Sequence, residues 1–153
     1  MKRKRQIYIV DSPAQTKKTG RMLAKEILAN GAGENARVLA LSGELGAGKT
    51  NFIQGFAKGL GIGETISSPT FVIAKIYPLP PKIGFEKFYH IDCYRLNSAA
   101  DLTFLNIKEI FADPKNIAAI EWPDIAAEIL PPDATTINFE ITGKKSRRVS
   151  FAF

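Results

Sequence analysis

Two periodicities alternate along the chain. Short apolar and β-branched runs between breakers occur at Gln6–Val10 (QIYIV), Arg37–Ser42 (RVLALS) and Asn116–Trp122 (NIAAIEW). Their length and composition predict strands, the last two buried on both faces. Elsewhere apolar residues recur three and four apart. Met22, Leu23, Ile27 and Leu28 predict a helix over Thr16–Leu28, after the turn-like DSPAQ and before the glycine stop in NGAGEN. Phe52, Ile53, Phe56, Ala57 and Leu60 predict a second helix that ends at Gly61. Gly55 and Gly59 lie inside it and cost about 1 kcal/mol each relative to alanine, but they permit a neighbouring backbone to come close.

The second half of the chain reads as hairpins around another such unit. Thr70–Tyr77 and Phe85–Asp92 flank the turn-rich PLPPKIG and predict an antiparallel pair. Ser98–Phe111 predicts one helix with Ser98 as cap and Asp101 in its first turn. Pro123–Leu130 predicts a short helix that starts on proline. Thr135–Thr142 and Arg147–Phe153 alternate apolar and polar residues and predict a final hairpin. Parallel β-α-β units account for the first half and for Asn116–Trp122. The prediction is a single α/β domain over residues 1–153, with a mixed central sheet, antiparallel hairpins and helices on both faces.

Composition changes this picture little. Hydrophobic residues make up 45% and charged residues 24% of the 153 positions, a globular balance. No run approaches the roughly 18 consecutive apolar residues of a membrane helix. The lone cysteine, Cys93, permits no internal disulfide and suits a reducing cytoplasm; its setting reads as packing. The net charge of +6 lies at the ends: Lys2–Arg5 (KRKR) and Lys144–Arg148 (KKSRR) carry four positive charges each. Taking those eight from the 21 lysines and arginines leaves 13 basic against 15 acidic side chains. A basic tail at 1–5 and a basic hairpin at about 135–153 fit either solvated ends or a nucleic-acid contact.

The chemistry is concentrated in GELGAGKT, Gly43–Thr50, which fits G-x-x-x-x-G-K-[ST]. It follows a buried-strand candidate and opens a helix, as a phosphate-cradling P-loop must. The amides of Leu45–Thr50 would surround phosphates at a helix N-terminus. Lys49 would reach the terminal phosphates, and the Thr50 hydroxyl would hold Mg²⁺. A second carboxylate is needed near the metal. Glu121 and Asp92 both end apolar runs, and both fit. No N-K-x-D or D-x-x-G string occurs, which favours ATP over GTP. Arg95 is the only arginine between Arg37 and Arg147, which argues against a lid with several arginines. The P-loop alone also admits a small-molecule kinase, and the basic ends an RNA-binding module.

Four motifs in order, GELGAGKT, SSPTF (Ser67–Phe71), HIDCYRL (His90–Leu96) and IEWP (Ile120–Pro123), make the chain resemble the TsaE family over roughly Thr16–Pro123. That resemblance implies a cytoplasmic P-loop ATPase, dependent on Mg²⁺ and slow on its own. It supports turnover of the TsaD–TsaB complex, which places threonylcarbamoyl groups on tRNA adenosine; contact with tRNA itself would be weak or indirect. It implies Lys49 and Thr50 as phosphate and metal residues, Glu121 as the magnesium-associated acid, and Asp92 as the acid that positions water or metal. The nucleotide-binding set becomes Glu44, Leu45, Gly46, Ala47, Gly48, Lys49, Thr50 and Asn51. Thr70 joins it as a γ-phosphate sensor and Thr16 near the base. The pattern gives His90 a role behind the acids, where the residues alone also admit a satisfied core histidine. Glu44 stands where the family often has aspartate. The family often has Leu-Gly where this chain reads LNIKEIF, which singles out the geometry around Asn106.

Overall fold

The computed structural model describes residues 3–68 and 73–153. Seven strands form one sheet: β1 (Arg5–Val10), β2 (Arg37–Gly43), β3 (Ala74–Pro78), β4 (Lys87–Asp92), β5 (Asn116–Glu121), β6 (Thr135–Ile141) and β7 (Arg147–Ala152). Their order is β1-β7-β6-β2-β5-β4-β3. The four strands β6, β2, β5 and β4 run parallel; β7 and β3 are antiparallel to their neighbours. Every residue of β5 is buried, as expected of a central parallel strand with both faces covered. β6 alternates instead, with Ile137 and Phe139 in and Asn138 and Glu140 out.

Helices α1 (Pro13–Asn30) and α2 (Lys49–Gly59) cover one face, packing Leu23, Phe52 and Phe56 onto Leu39, Leu41, Phe88 and Ile117. The opposite face of β2, β5 and β4 lies under α3 (Ile107–Ala112) and two 3₁₀ segments, Ala99–Leu105 and Pro123–Ala126. The mixed sheet, both hairpins and the two-sided covering agree with the sequence pattern.

Five details differ. β1 runs in the same direction as β2 but lies at the far edge, with β7 and β6 between them; the first β-α-β unit therefore spans strands that do not touch. The helix expected over Ser98–Phe111 is a 3₁₀ segment and α3, broken at Asn106, which adopts φ 52 and ψ 43. Asparagine tolerates that left-handed conformation better than most residues. The helix expected at Pro123–Leu130 is one 3₁₀ turn, and Pro131 directly after Leu130 disfavours helical geometry there. Met22, counted in the apolar stripe of α1, is exposed, and Ala24 is buried in the core. Helix α1 also starts a turn earlier than expected, where Ser12 accepts the Gln15 amide and Pro13 opens the helix. The first three residues of the strand predicted at Thr70–Tyr77 lie outside the described residues.

The glycines of α2 have a tertiary purpose. A Cβ on Gly55 would lie 1.9 Å from the Lys17 carbonyl oxygen, and one on Gly59 would lie 2.6 Å from the Ala24 Cβ. On α1, a Cβ on Gly20 would lie 2.2 Å from the Phe52 carbonyl oxygen. The two helices thus meet backbone to backbone. Gly55→Ala is expected to destabilise the fold by about 1–3 kcal/mol, since the added methyl has no room. Chemical denaturation checks this: an unchanged midpoint would show that the helices separate at no cost.

Candidate functional site

The loop from Gly43 to Thr50 joins buried β2 to α2. Gly43 has φ 151, and a Cβ there would come within 2.6 Å of the Phe139 carbonyl oxygen on β6. Gly46 has φ 78, with open space where a side chain would project, and Gly48 has φ 105. No side chain caps the N-terminus of α2, so its positive end faces the loop. This backbone is a concave cradle of the kind that a phosphate fits.

The Lys49 ammonium donates to the Gly43 carbonyl at 2.5 Å and lies 3.6 Å from the centroid of the Trp122 ring. Burial pushes its pKa down, and the Glu121 and Asp92 charges oppose that shift. Trp122 itself has φ 55 and packs against Tyr94 with ring centroids 5.2 Å apart. A left-handed tryptophan is strained, and in this conformation its ring lies against the lysine.

β4 and β5 pair in parallel so that Asp92 and Glu121 stand side by side at their C-terminal ends. Glu121 is also level with Leu41, just before the loop. Asp92 Oδ1 accepts the Tyr94 amide at 3.0 Å. Burial, with the Glu121 charge adding to it, raises the Asp92 carboxyl above the usual range; the Tyr94 amide is the chief opposing influence. Glu121 Oε2 lies 2.8 Å from His90 Nε2, both side chains being buried.

A cleft of about 340 Å³ opens where these parts meet, within the size range of small-ligand sites. Of the residues the sequence singled out, Leu45, Gly46, Gly48, Lys49, Thr50, Asn51, Asp92 and Glu121 line it. Glu44 is exposed and Ala47 fully buried, and neither reaches the cleft. Thr16 is buried under the loop: its hydroxyl donates to the Ser12 carbonyl at 3.3 Å, and a Cβ on Gly48 would be 3.4 Å from its methyl. Thr70 lies outside the described residues. Thr50 and Glu121 share the cleft, and no hydrogen bond reaches Glu121 Oε1 among the described residues. A hydroxyl and a carboxylate oxygen beside a phosphate cradle fit Mg²⁺.

Ser68, Ile73, Tyr94 and Arg95 also line the cleft, and the sequence reading did not place them there; Trp122 lines it too, one of the two settings its place at a strand end allows, the other being core packing. Arg147 Nη2 donates to the Gly46 carbonyl at 3.3 Å. That bond brings the C-terminal basic hairpin to the Gly43–Thr50 loop. Arg3 bonds the Pro132 and Ala134 carbonyls at the opposite end of the sheet. Cys93 is buried and its thiol is pushed up to about 12 by burial. It is a packing residue, as its setting predicts.

The family profile described as "Threonylcarbamoyl adenosine biosynthesis protein TsaE" matches residues 10–149. The chain belongs to the TsaE family. The family's tRNA threonylcarbamoyladenosine biosynthesis proteins from two spirochaetes and a bacillus are similar to it. That of Borreliella burgdorferi is 43% identical over 108 residues, 70% of this chain and 75% of the relative. That of Bacillus subtilis is 38% identical over 114 residues, 74% and 68% of the two chains. That of Treponema pallidum is 36% identical over 119 residues, 78% and 84%. The crystal structure of YdiB from Bacillus subtilis superposes with a TM-score of 0.76 at 28% identity, covering 99% of this chain and 87% of YdiB. The TsaE profile runs from the end of β1 into β7, so it spans every cleft-lining residue named above.

Proposed function

We propose that this TsaE-family chain binds and hydrolyses Mg-ATP as an accessory factor in tRNA threonylcarbamoyladenosine modification. In this reading it supports turnover of the TsaD–TsaB complex in the cytoplasm. The observation that carries the reading is the convergence of Lys49, Thr50, Asp92 and Glu121 on one cleft, although the loop and the two acids are far apart in sequence. Among the described residues no helix is long and apolar enough to cross a membrane.

In this reading the loop amides and the Lys49 ammonium grip the β- and γ-phosphates. To do so the ammonium leaves the Gly43 carbonyl for the phosphate oxygens. Thr50 and Glu121 would hold magnesium, which supplies charge neutralisation on the phosphates. Asp92 or Glu121 orients the attacking water; Thr16 supports the loop from below; Thr70 senses the γ-phosphate. Arg95 lines the same cleft, where a guanidinium can meet phosphate charge.

The test is phosphate release from Mg-ATP by the pure chain, alone and with TsaD–TsaB. Slow release that rises with the partners supports the accessory role. Equal release in both leaves an ATPase with some other partner. ATP binding without release in either case removes hydrolysis from the reading. Contact with tRNA is weak or indirect in this reading, as the family resemblance implies, with Arg3 and Arg147 anchored at opposite ends of the sheet. Gel-shift titration is expected to show weak tRNA binding that falls steeply with salt; tight, salt-resistant binding would contradict this.

A further inference from the structure

His90 is fully buried, yet only one of its ring nitrogens has a partner. Strand alternation puts it on the same sheet face as Phe88 and Asp92, the face under α2. Ala119, its register partner on β5, is small. Two residues on, Glu121 projects from the same face, and its Oε2 meets His90 Nε2 at 2.8 Å. Nδ1 is a buried polar atom with no partner among the described residues. A side chain needed only to fill this space would be better as hydrocarbon, since a buried polar atom without a partner destabilises the fold. The single hydrogen bond of the ring is therefore the feature that distinguishes histidine from phenylalanine here.

That bond divides the two oxygens of Glu121. Oε2 is held by the imidazole, and Oε1 has no partner among the described residues while the side chain lines the cleft. We infer that His90 is a positioning residue: it clamps Glu121 Oε2, fixes the carboxylate in one orientation and leaves Oε1 as the oxygen offered to the Mg-ATP side of the cleft. The role rests on the Mg-ATP reading above. Groups that hydrogen-bond a metal-directed ligand from behind act this way: they fix its rotamer without touching the metal. A carboxylate freed from the clamp samples other rotamers, and small misplacements at a reacting centre are costly.

Three variants of the full chain test this. His90→Phe keeps ring volume and removes the donor. His90→Gln places an amide nitrogen at about the reach of Nε2. His90→Asn carries an amide that stops short of Oε2, and it serves if the phenylalanine variant fails to fold. ATP affinity is measured by calorimetry as a function of Mg²⁺, and hydrolysis is measured with TsaD–TsaB present. For His90→Phe and His90→Asn, metal-free ATP affinity is expected to stay within about twofold. The Mg²⁺ concentration for half-maximal enhancement is expected to rise about 10- to 100-fold, with kcat falling by a similar factor and KM little changed. His90→Gln recovers most of both. A crystal structure of ligand-free His90→Phe is expected to show the Glu121 carboxylate turned from its present position. If the unaltered chain responds to Mg²⁺ and a folded His90→Phe or His90→Asn responds identically, His90 has no positioning role. The same holds if His90→Gln is as impaired as His90→Phe. If the unaltered chain shows no Mg²⁺ dependence, the Mg-ATP reading itself fails and the positioning role with it.

Discussion

Lys49→Ala is expected to weaken Mg-ATP binding by roughly 30- to 1,000-fold. Lys49 is only 6% exposed, and its ammonium is held at the cleft by the Gly43 carbonyl and the Trp122 face. Truncating one partner of a desolvated charge pair costs about 2–4 kcal/mol, much of it from leaving the other charge without a partner, which corresponds to that range of affinity. Desolvation lowers the Lys49 pKa, but the facing Glu121 and Asp92 charges favour the ammonium, and bound phosphate would add to that preference. Isothermal titration with Mg-ATP is the check. Wild-type affinity in the variant would separate the loop from phosphate recognition and remove the basis of the nucleotide reading.

Glu121→Ala is expected to spare ATP affinity within a few-fold and to lower partner-stimulated hydrolysis by about 10²–10³, the usual effect of removing one preorganised electrostatic group. The asymmetry follows from position. Glu121 is level with Leu41 near the end of β2, just below the loop, so in the proposed reading it would act where charge develops while the loop would bind the phosphates. Single-turnover phosphate release against an equilibrium binding curve separates the two effects. Survival of hydrolysis in Glu121→Ala together with its loss in Asp92→Asn would assign the water-orienting role to Asp92. Asp92 lies beside Glu121 in register, and its carboxyl is raised mainly by burial. Equal survival in both variants would remove the acids from the chemistry.

Much of this arrangement was legible before any coordinates. The loop Gly43–Thr50 could be read because its signal is local: glycines at fixed offsets and a Lys-Thr pair, between a buried strand and a helix. Asp92 and Glu121 could be read as candidates because each ends an apolar run. That they stand side by side could not be read, because the sheet register, not the spacing, makes them neighbours. Trp122 was legible as an aromatic at a strand end, with core packing or stacking near the nucleotide both open; its left-handed backbone and its contact with Lys49 depend on the turn after β5. The break at Asn106 lay within a pattern that suits one helix. An apolar period of three to four residues persists through a 3₁₀ segment and a short α-helix and so does not reveal the change.

What the sequence determined by itself was the order of the elements, the kind of most of them, and the spelling of the glycine loop Gly43–Thr50. Both depend on interactions within a few residues: side-chain periodicity, helix punctuation and the freedom of glycine at positive φ. The tertiary structure decided which strands are neighbours, with β1 at the far edge and β6 beside β2. It decided that Gly20, Gly55 and Gly59 serve one close helix pair. It brought together groups 31 residues apart at His90 and Glu121 and 101 apart at Arg147 and Gly46. Such pairings depend on long-range strand order and register, which no short stretch of the chain encodes.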